Sequence, residues 1–184
     1  MAPRVSASPS TEAKLLMEIT DIDSFLAYYA RVKQRTRKLF ALIPPEKIEW
    51  TYHKDKFTFG DIIRHLAAIE RYMYAETVQQ RPTIYQGCGT NLAEGYEAII
   101  AYYDRLHTES VDIFRQLKHE DLNQKCITPN GTPITTWKWL RAMVEHEVHH
   151  RGQLYTYLGM LEVGVPPIYG LTSEEVATRS KQNL

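Results

Sequence analysis

Cysteine is nearly absent from this chain of 184 residues. Cys88 and Cys126 are the only two, too few for a disulfide scaffold. Such sparse thiols suit a reducing cytoplasm, and a cytoplasmic location is the expectation. No apolar run approaches the ~20 residues a helix needs to cross a bilayer, which argues against a membrane role. Met1 to Ser10 carry Arg4 but no apolar core segment, so they do not read as a secretory signal; their Ala, Pro and Ser content reads as a flexible lead-in over 1–20. An excess of either charge is also missing. Lys+Arg and Asp+Glu are both 22, for a formal net charge of zero. That argues against nucleic acid as a partner, because neutralising phosphates takes clustered positive charge. The basic run Arg31, Lys33, Arg35, Arg37 and Lys38 has apolar neighbours at helical spacing and reads as a solvated helix face. There is no internal repeat, and no low-complexity stretch beyond the first ten residues.

What is present is helical periodicity. Ile22, Phe25, Leu26, Tyr29, Val32, Leu39, Phe40 and Ile43 recur mostly at three- and four-residue intervals, with Asp21 or Asp23 as the N-cap and Pro44-Pro45 as the stop. Thr58, three residues before Asp61, makes an acidic capping box and opens a second helix striped with Ile62, His65, Ile69, Tyr72, Met73 and Glu76. Arg81-Pro82 ends it, and a glycine-rich loop around Cys88 follows. A third helix is expected from near Asn91 through Leu117. The turn chemistry of Thr128 to Pro133 suggests a small hairpin. Thr135 or Thr136 then caps a fourth long helix that runs to about Val163, with Gly164 and Pro166-Pro167 closing it. These elements predict an all-α four-helix bundle over 21–170 and a tail over 171–184 with a short helix from Ser173 to Thr178.

On the fourth helix, His146 and His150 are only ~40° apart around the axis and about 6 Å apart along it. Trp139, Met143, Gln153 and Tyr157 share that arc, so both imidazoles face inward. His149 lies roughly 60° to one side and Glu147 roughly 100° to the other, less well placed to share an ion. His65 sits in the apolar stripe of the second helix, where an unpaired imidazole is costly to bury. A lone inward histidine is commonly just a hydrogen-bonded core residue. Together, His65, His146 and His150 make a three-imidazole metal site on facing helices, with open coordination positions. His53, His107 and His119 read as surface residues.

The same letters spell a decoy. His146-Glu147-Val148-His149-His150 is a literal H-E-x-x-H, the zinc-peptidase signature with Glu as general base. Position 153 is Gln where the extended pattern needs Gly, no downstream His completes it, and nothing upstream resembles the sheet of those enzymes.

His65-Leu66-Ala67 with His146-x-x-x-His150-Arg151-Gly152-Gln153, and the ending Leu161 to Pro167 with Tyr169-Gly170, resemble the DinB/YfiT-like superfamily over roughly Ile22 to Gly170. The resemblance implies a four-helix bundle, a homodimer, and a divalent ion, zinc or nickel, held by His65, His146 and His150. It also implies a thiol S-transferase acting on a small-molecule substrate with a low-molecular-weight thiol, in a stress or detoxification role. The alternatives are a metal-dependent hydrolase and a non-catalytic metal-binding stress protein. Gln153, one turn beyond His150, is expected to serve the ligand shell or a bound group, and Tyr72 and Glu76 to wall the pocket. Cys88, between two glycines, reads as incidental.

Overall fold

The structure, a computed structural model, describes residues 19–182; most of the lead-in expected over 1–20 lies outside them. Helix α1 spans Ile22–Phe40, and its N-cap Asp21 accepts the Ser24 amide at 2.7 Å. Thr58 and Asp61 exchange both capping-box bonds, at 2.9 and 3.0 Å, and open helix α2. This helix is α-helical over Phe59–Ile69, takes a π turn over Glu70–Tyr74, and is α-helical again over Ala75–Thr77. Helix α3 spans Tyr96–Phe114, beginning five residues later than the apolar pattern suggests, because Gly95 adopts φ +81° and the chain before it turns through a short 3-10 segment over Thr90–Leu92.

The segment after α3 holds a short helix α4, His119–Asn123, that the sequence pattern did not reveal, and then the expected hairpin. Strands β1 (Lys125–Ile127) and β2 (Pro133–Thr135) pair antiparallel with Cys126 opposite Ile134. Gly131, at φ +84°, makes the left-handed residue of their turn. Helix α5 covers Thr136–Met160 and ends short of Gly164; Glu162 supplies the left-handed residue instead, at φ +59°. Helix α6, Ser173–Gln182, buries no residue. Helices α1, α2, α3 and α5 form the bundle, with α2 packed on α3 and α1 on α5. No helix among the described residues is long and apolar enough to cross a membrane.

The core is split in two. One apolar cluster gathers Leu39, Phe40, Ile62, Leu66, Tyr103, Leu106, Leu154 and Leu158, the other Phe25, Val32, Tyr74, Phe114, Leu140 and Met143. On every bundle helix, buried polar residues lie between the stretches that feed the two clusters: Lys33 and Thr36 on α1, Glu70 on α2, Ser110 on α3, and Glu147, His150 and Arg151 on α5. Lys33 is 2% exposed and so leaves the solvated face on which Arg31, Arg37 and Lys38 remain. Its position four residues after Tyr29 and seven before Phe40 places it on the inward arc. His107 is likewise not a surface residue at a helix end. It lies in the middle of α3, half-buried, with Nδ1 2.8 Å from Glu70. Lys33 bridges Glu70 at 2.7 Å and Glu147 at 3.3 Å, while the Tyr29 and Tyr103 hydroxyls donate to the same two carboxylates.

Candidate metal centre

Helix α2 carries His65 inward on the same stripe as Ile62 and Leu66, and α5 presents His146 and His150 one turn apart. The three imidazoles meet between these helices. His146 Nε2 lies 3.1 Å from His65 Nε2 and 3.1 Å from His150 Nε2, and one nitrogen from each ring falls within 4.8 Å of the other two. Burial is the main force on their protonation: it pushes His65 down to about 4 and His146 to about 3, and the neighbouring imidazoles push the same way. His150 is also lowered by burial, partly opposed by its bond to Gln153. At neutral pH the cluster is three uncharged rings with lone pairs available.

The outer nitrogens of His65 and His150 are engaged. His150 Nδ1 meets Gln153 Oε1 at 2.7 Å, which makes Nδ1 the protonated nitrogen and frees Nε2. His65 Nδ1 shares a 2.7 Å hydrogen bond with the Tyr85 hydroxyl. Tyr85 comes from the loop after α2, and Arg64 staples that loop by donating to the Cys88 and Ala93 carbonyl oxygens at 2.7 and 3.0 Å. Phe57 covers the cluster, its ring 5.5 Å from His65 and 6.3 Å from His150. A groove of about 800 Å³ shares Phe57 and Gln153 with the site and is also lined by Tyr52, His149, Tyr157 and Met160.

The donor set fits a divalent ion. Two nitrogens bound to one ion at about 2.0–2.1 Å are about 3.4 Å apart at a tetrahedral angle and about 2.9 Å apart at a right angle. The observed 3.1 Å lies between. A proton explains the contacts less well, since one N–H on His146 cannot point along both of them.

A family model describing the DinB superfamily matches residues 28–154. The chain belongs to the DinB superfamily. It is 26% identical over 162 residues to the uncharacterized protein YrdA of Bacillus subtilis (strain 168), an alignment covering 85% of this chain and 92% of that one. A DinB-like protein from Bacillus cereus ATCC 10987 superposes with a TM-score of 0.67 at 18% identity, over 80% of this chain and 97% of the other. A mutant of the mycothiol-dependent maleylpyruvate isomerase superposes with a TM-score of 0.56 at 14% identity, over 73% of this chain and 60% of that protein. These two superpositions speak to fold alone.

The remaining candidates in this DinB chain divide. Gln153 is at the cluster. Glu76 is not: its carboxylate is held by Arg71 and by Arg81, the latter at 2.7 Å. Tyr72 instead lines a separate cavity of about 270 Å³ with Ala68, Ile84, Leu92 and Tyr102. The π turn is the reason. It inserts one residue into α2, so positions beyond Ile69 are rotated by roughly 100° from the face that carries His65. The same insertion turns Tyr74 toward α5, with its ring 6.3 Å from His146 and 4.6 Å from Trp139. His149 is exposed and meets the His150 ring edge to face. Glu147 points away from the imidazoles, into the Lys33 bridge. Tyr85, Phe57 and Tyr74 went unnoticed in the sequence, since two lie in irregular segments and the third behind the π turn.

Proposed function

We propose that this DinB-superfamily protein is a metal-dependent enzyme, a thiol S-transferase whose divalent ion, zinc or nickel, is held by His65, His146 and His150. The observation that carries the reading is the gathering of three neutral imidazole nitrogens within 4.8 Å of one another, with His146 at an ion-matched 3.1 Å from each of the other two. When bound, the ion supplies Lewis acidity that lowers the pKa of a ligated low-molecular-weight thiol from about 8.5, so that thiolate is present at neutral pH. The protein does the rest by positioning. Tyr85 and Gln153 hold the His65 and His150 rings in orientation, and Gln153 Oε1 selects the His150 tautomer that leaves Nε2 free. Phe57 and Tyr74 wall the cluster with apolar surface and limit water, which favours attack of the sulfur on a small electrophile over hydrolysis. A mycothiol-dependent isomerase shares the fold, so the scaffold is compatible with thiol chemistry. Hydrolysis is the weaker reading here. Glu147, the carboxylate that would serve as base, is 2% exposed and committed to Lys33 and Tyr103.

Metal analysis of protein purified without nickel resin tests the site. The wild type should hold close to one ion per chain, and His65→Ala, His146→Ala and His150→Ala should each lose most of it. Full occupancy in all three variants would overturn the assignment. Thermal shift of the loaded protein with bacillithiol, mycothiol and glutathione tests the chemistry, and stabilisation by none of them would remove the thiol reading while leaving the metal site standing.

A further inference from the structure

Among the described residues, six charged side chains are buried: Lys33, Arg64, Glu70, Glu76, Glu147 and Arg151. Five have a partner of opposite charge. Lys33 bridges Glu70 and Glu147, Arg64 meets Glu49 and Asp61, and Glu76 meets Arg71 and Arg81. Arg151 is 3% exposed and has no carboxylate within ion-pair distance among the described residues. Its hydrogen-bond partners are neutral. One terminal nitrogen donates to the Val32 carbonyl at 3.3 Å and the other to the Tyr169 hydroxyl. Tyr169 adds its ring face, 5.5 Å from the Arg151 guanidinium and 5.3 Å from that of Arg35. Two cations thus share one aromatic ring, with no ion-paired carboxylate among the described residues. A buried guanidinium without a counter-charge is costly, and cation–π contact offsets only part of that cost. Of its five N–H groups, two are accounted for.

Arg151 also lines a groove of about 550 Å³ between the outer face of α5 and the chain that follows it. The other walls are largely apolar, from Val148, Tyr155, Val165, Ile168 and Leu171. A largely apolar cleft of this size with a few polar groups, here Arg151 with Thr172, Ser173 and Glu174 at the edge, is how small-molecule sites are built. We propose that the groove binds a small organic anion, a monocarboxylate with an apolar body, whose head group ion-pairs with Arg151 while its body lies on the apolar walls. A planar carboxylate matches the forked N–H geometry of one guanidinium. A dianion is disfavoured by the carboxylate of Glu174 on the rim. This site is separate from the imidazole cluster and does not depend on the enzyme reading.

Calorimetric titration of the full chain with octanoate and with the neutral octanamide tests it. Octanoate should bind saturably and at least tenfold more tightly than octanamide. Arg151→Met should remove that preference. Val165→Trp, which fills the groove and leaves the guanidinium in place, should abolish binding, and it carries the test if the Arg151 variant fails to fold. His65→Ala should bind octanoate as the wild type does. Equal binding of the two ligands, no saturable binding of octanoate, or full binding by Val165→Trp would each overturn the proposal. So would a groove closed by a second copy, seen as octanoate binding that vanishes when the protein self-associates.

Discussion

Two buried polar clusters share helices α2 and α5, and they solve burial in opposite ways. Around Lys33 the groups are charged or hydrogen-bonded to charge: Glu70 accepts from Lys33 and Tyr29 and meets His107, and Glu147 accepts from Lys33 and Tyr103. Around His146 nothing is charged and the inner nitrogens are left facing one another. The first cluster is complete without any addition. The second has the outer nitrogens of His65 and His150 hydrogen-bonded and the inner nitrogens gathered together, the arrangement an ion would complete. Adjacent residues of one helix, His146 and Glu147, belong to different clusters because successive side chains are about 100° apart.

The largest effect should come from breaking the charged cluster. Lys33→Met leaves two carboxylates, 1% and 2% exposed, without their shared cation. Urea denaturation should show a loss of about 3–5 kcal/mol. The triple variant Lys33→Met, Glu70→Gln, Glu147→Gln should recover most of it, since neutral isosteres remove the uncompensated charge. Metal occupancy of the triple variant should match the wild type. A triple variant that folds well but cannot bind the ion would show that the clusters are one functional unit.

Acid separates the clusters next. The imidazoles have folded values below their ordinary 6.5, about 4 for His65 and about 3 for His146, so below pH 6.5 the unfolded chain takes up protons that the metal-free fold refuses. Stability should therefore fall as pH drops from 6.5 through those values. Glu70 works lower. The Lys33 ammonium and the His107 bond, acting against burial, hold it at about 2, and its contribution is present above 4.5 and lost as pH falls from there toward 2. Melting curves in chelator should show the upper loss reduced in His65→Ala and the lower loss reduced in Glu70→Gln. An unchanged slope between pH 6.5 and 4.5 in the histidine variant would remove the imidazoles as its source.

Much of this contrast was legible before any coordinates. The three- and four-residue stripes delimit the bundle helices, and the i,i+4 spacing of His146 and His150 with the inward His65 picks out the imidazole cluster. The Lys33 cluster was hidden, because a lysine among arginines reads as surface unless the inward arc is traced past it to Glu70, Glu147 and Tyr103. Tyr72 and Glu76 were misplaced for a reason no periodicity exposes: the π turn at Glu70–Tyr74 breaks the count that a helical stripe assumes. Tyr85 reaches His65 from an irregular loop held by Arg64, and sequence spacing carries no information on such an approach.

The finest test exchanges one hydroxyl in each cluster. Tyr29→Phe removes a 2.9 Å donor from the buried Glu70 carboxylate and should cost about 1.5–3 kcal/mol of stability while leaving ion affinity unchanged. Tyr85→Phe removes the 2.7 Å partner of His65 Nδ1. In the metal-free protein that should cost no more than about 1 kcal/mol, since a half-buried neutral bond is lost. Ion affinity, read by competition with a chelator of known strength, should fall about 10–100-fold because the His65 ring is no longer held in the orientation that presents Nε2. The two variants thus predict opposite patterns, stability without affinity and affinity without stability. If Tyr85→Phe lowered stability as much as Tyr29→Phe and left affinity intact, the Tyr85 bond would be structural, and the imidazoles would be held by the helices alone.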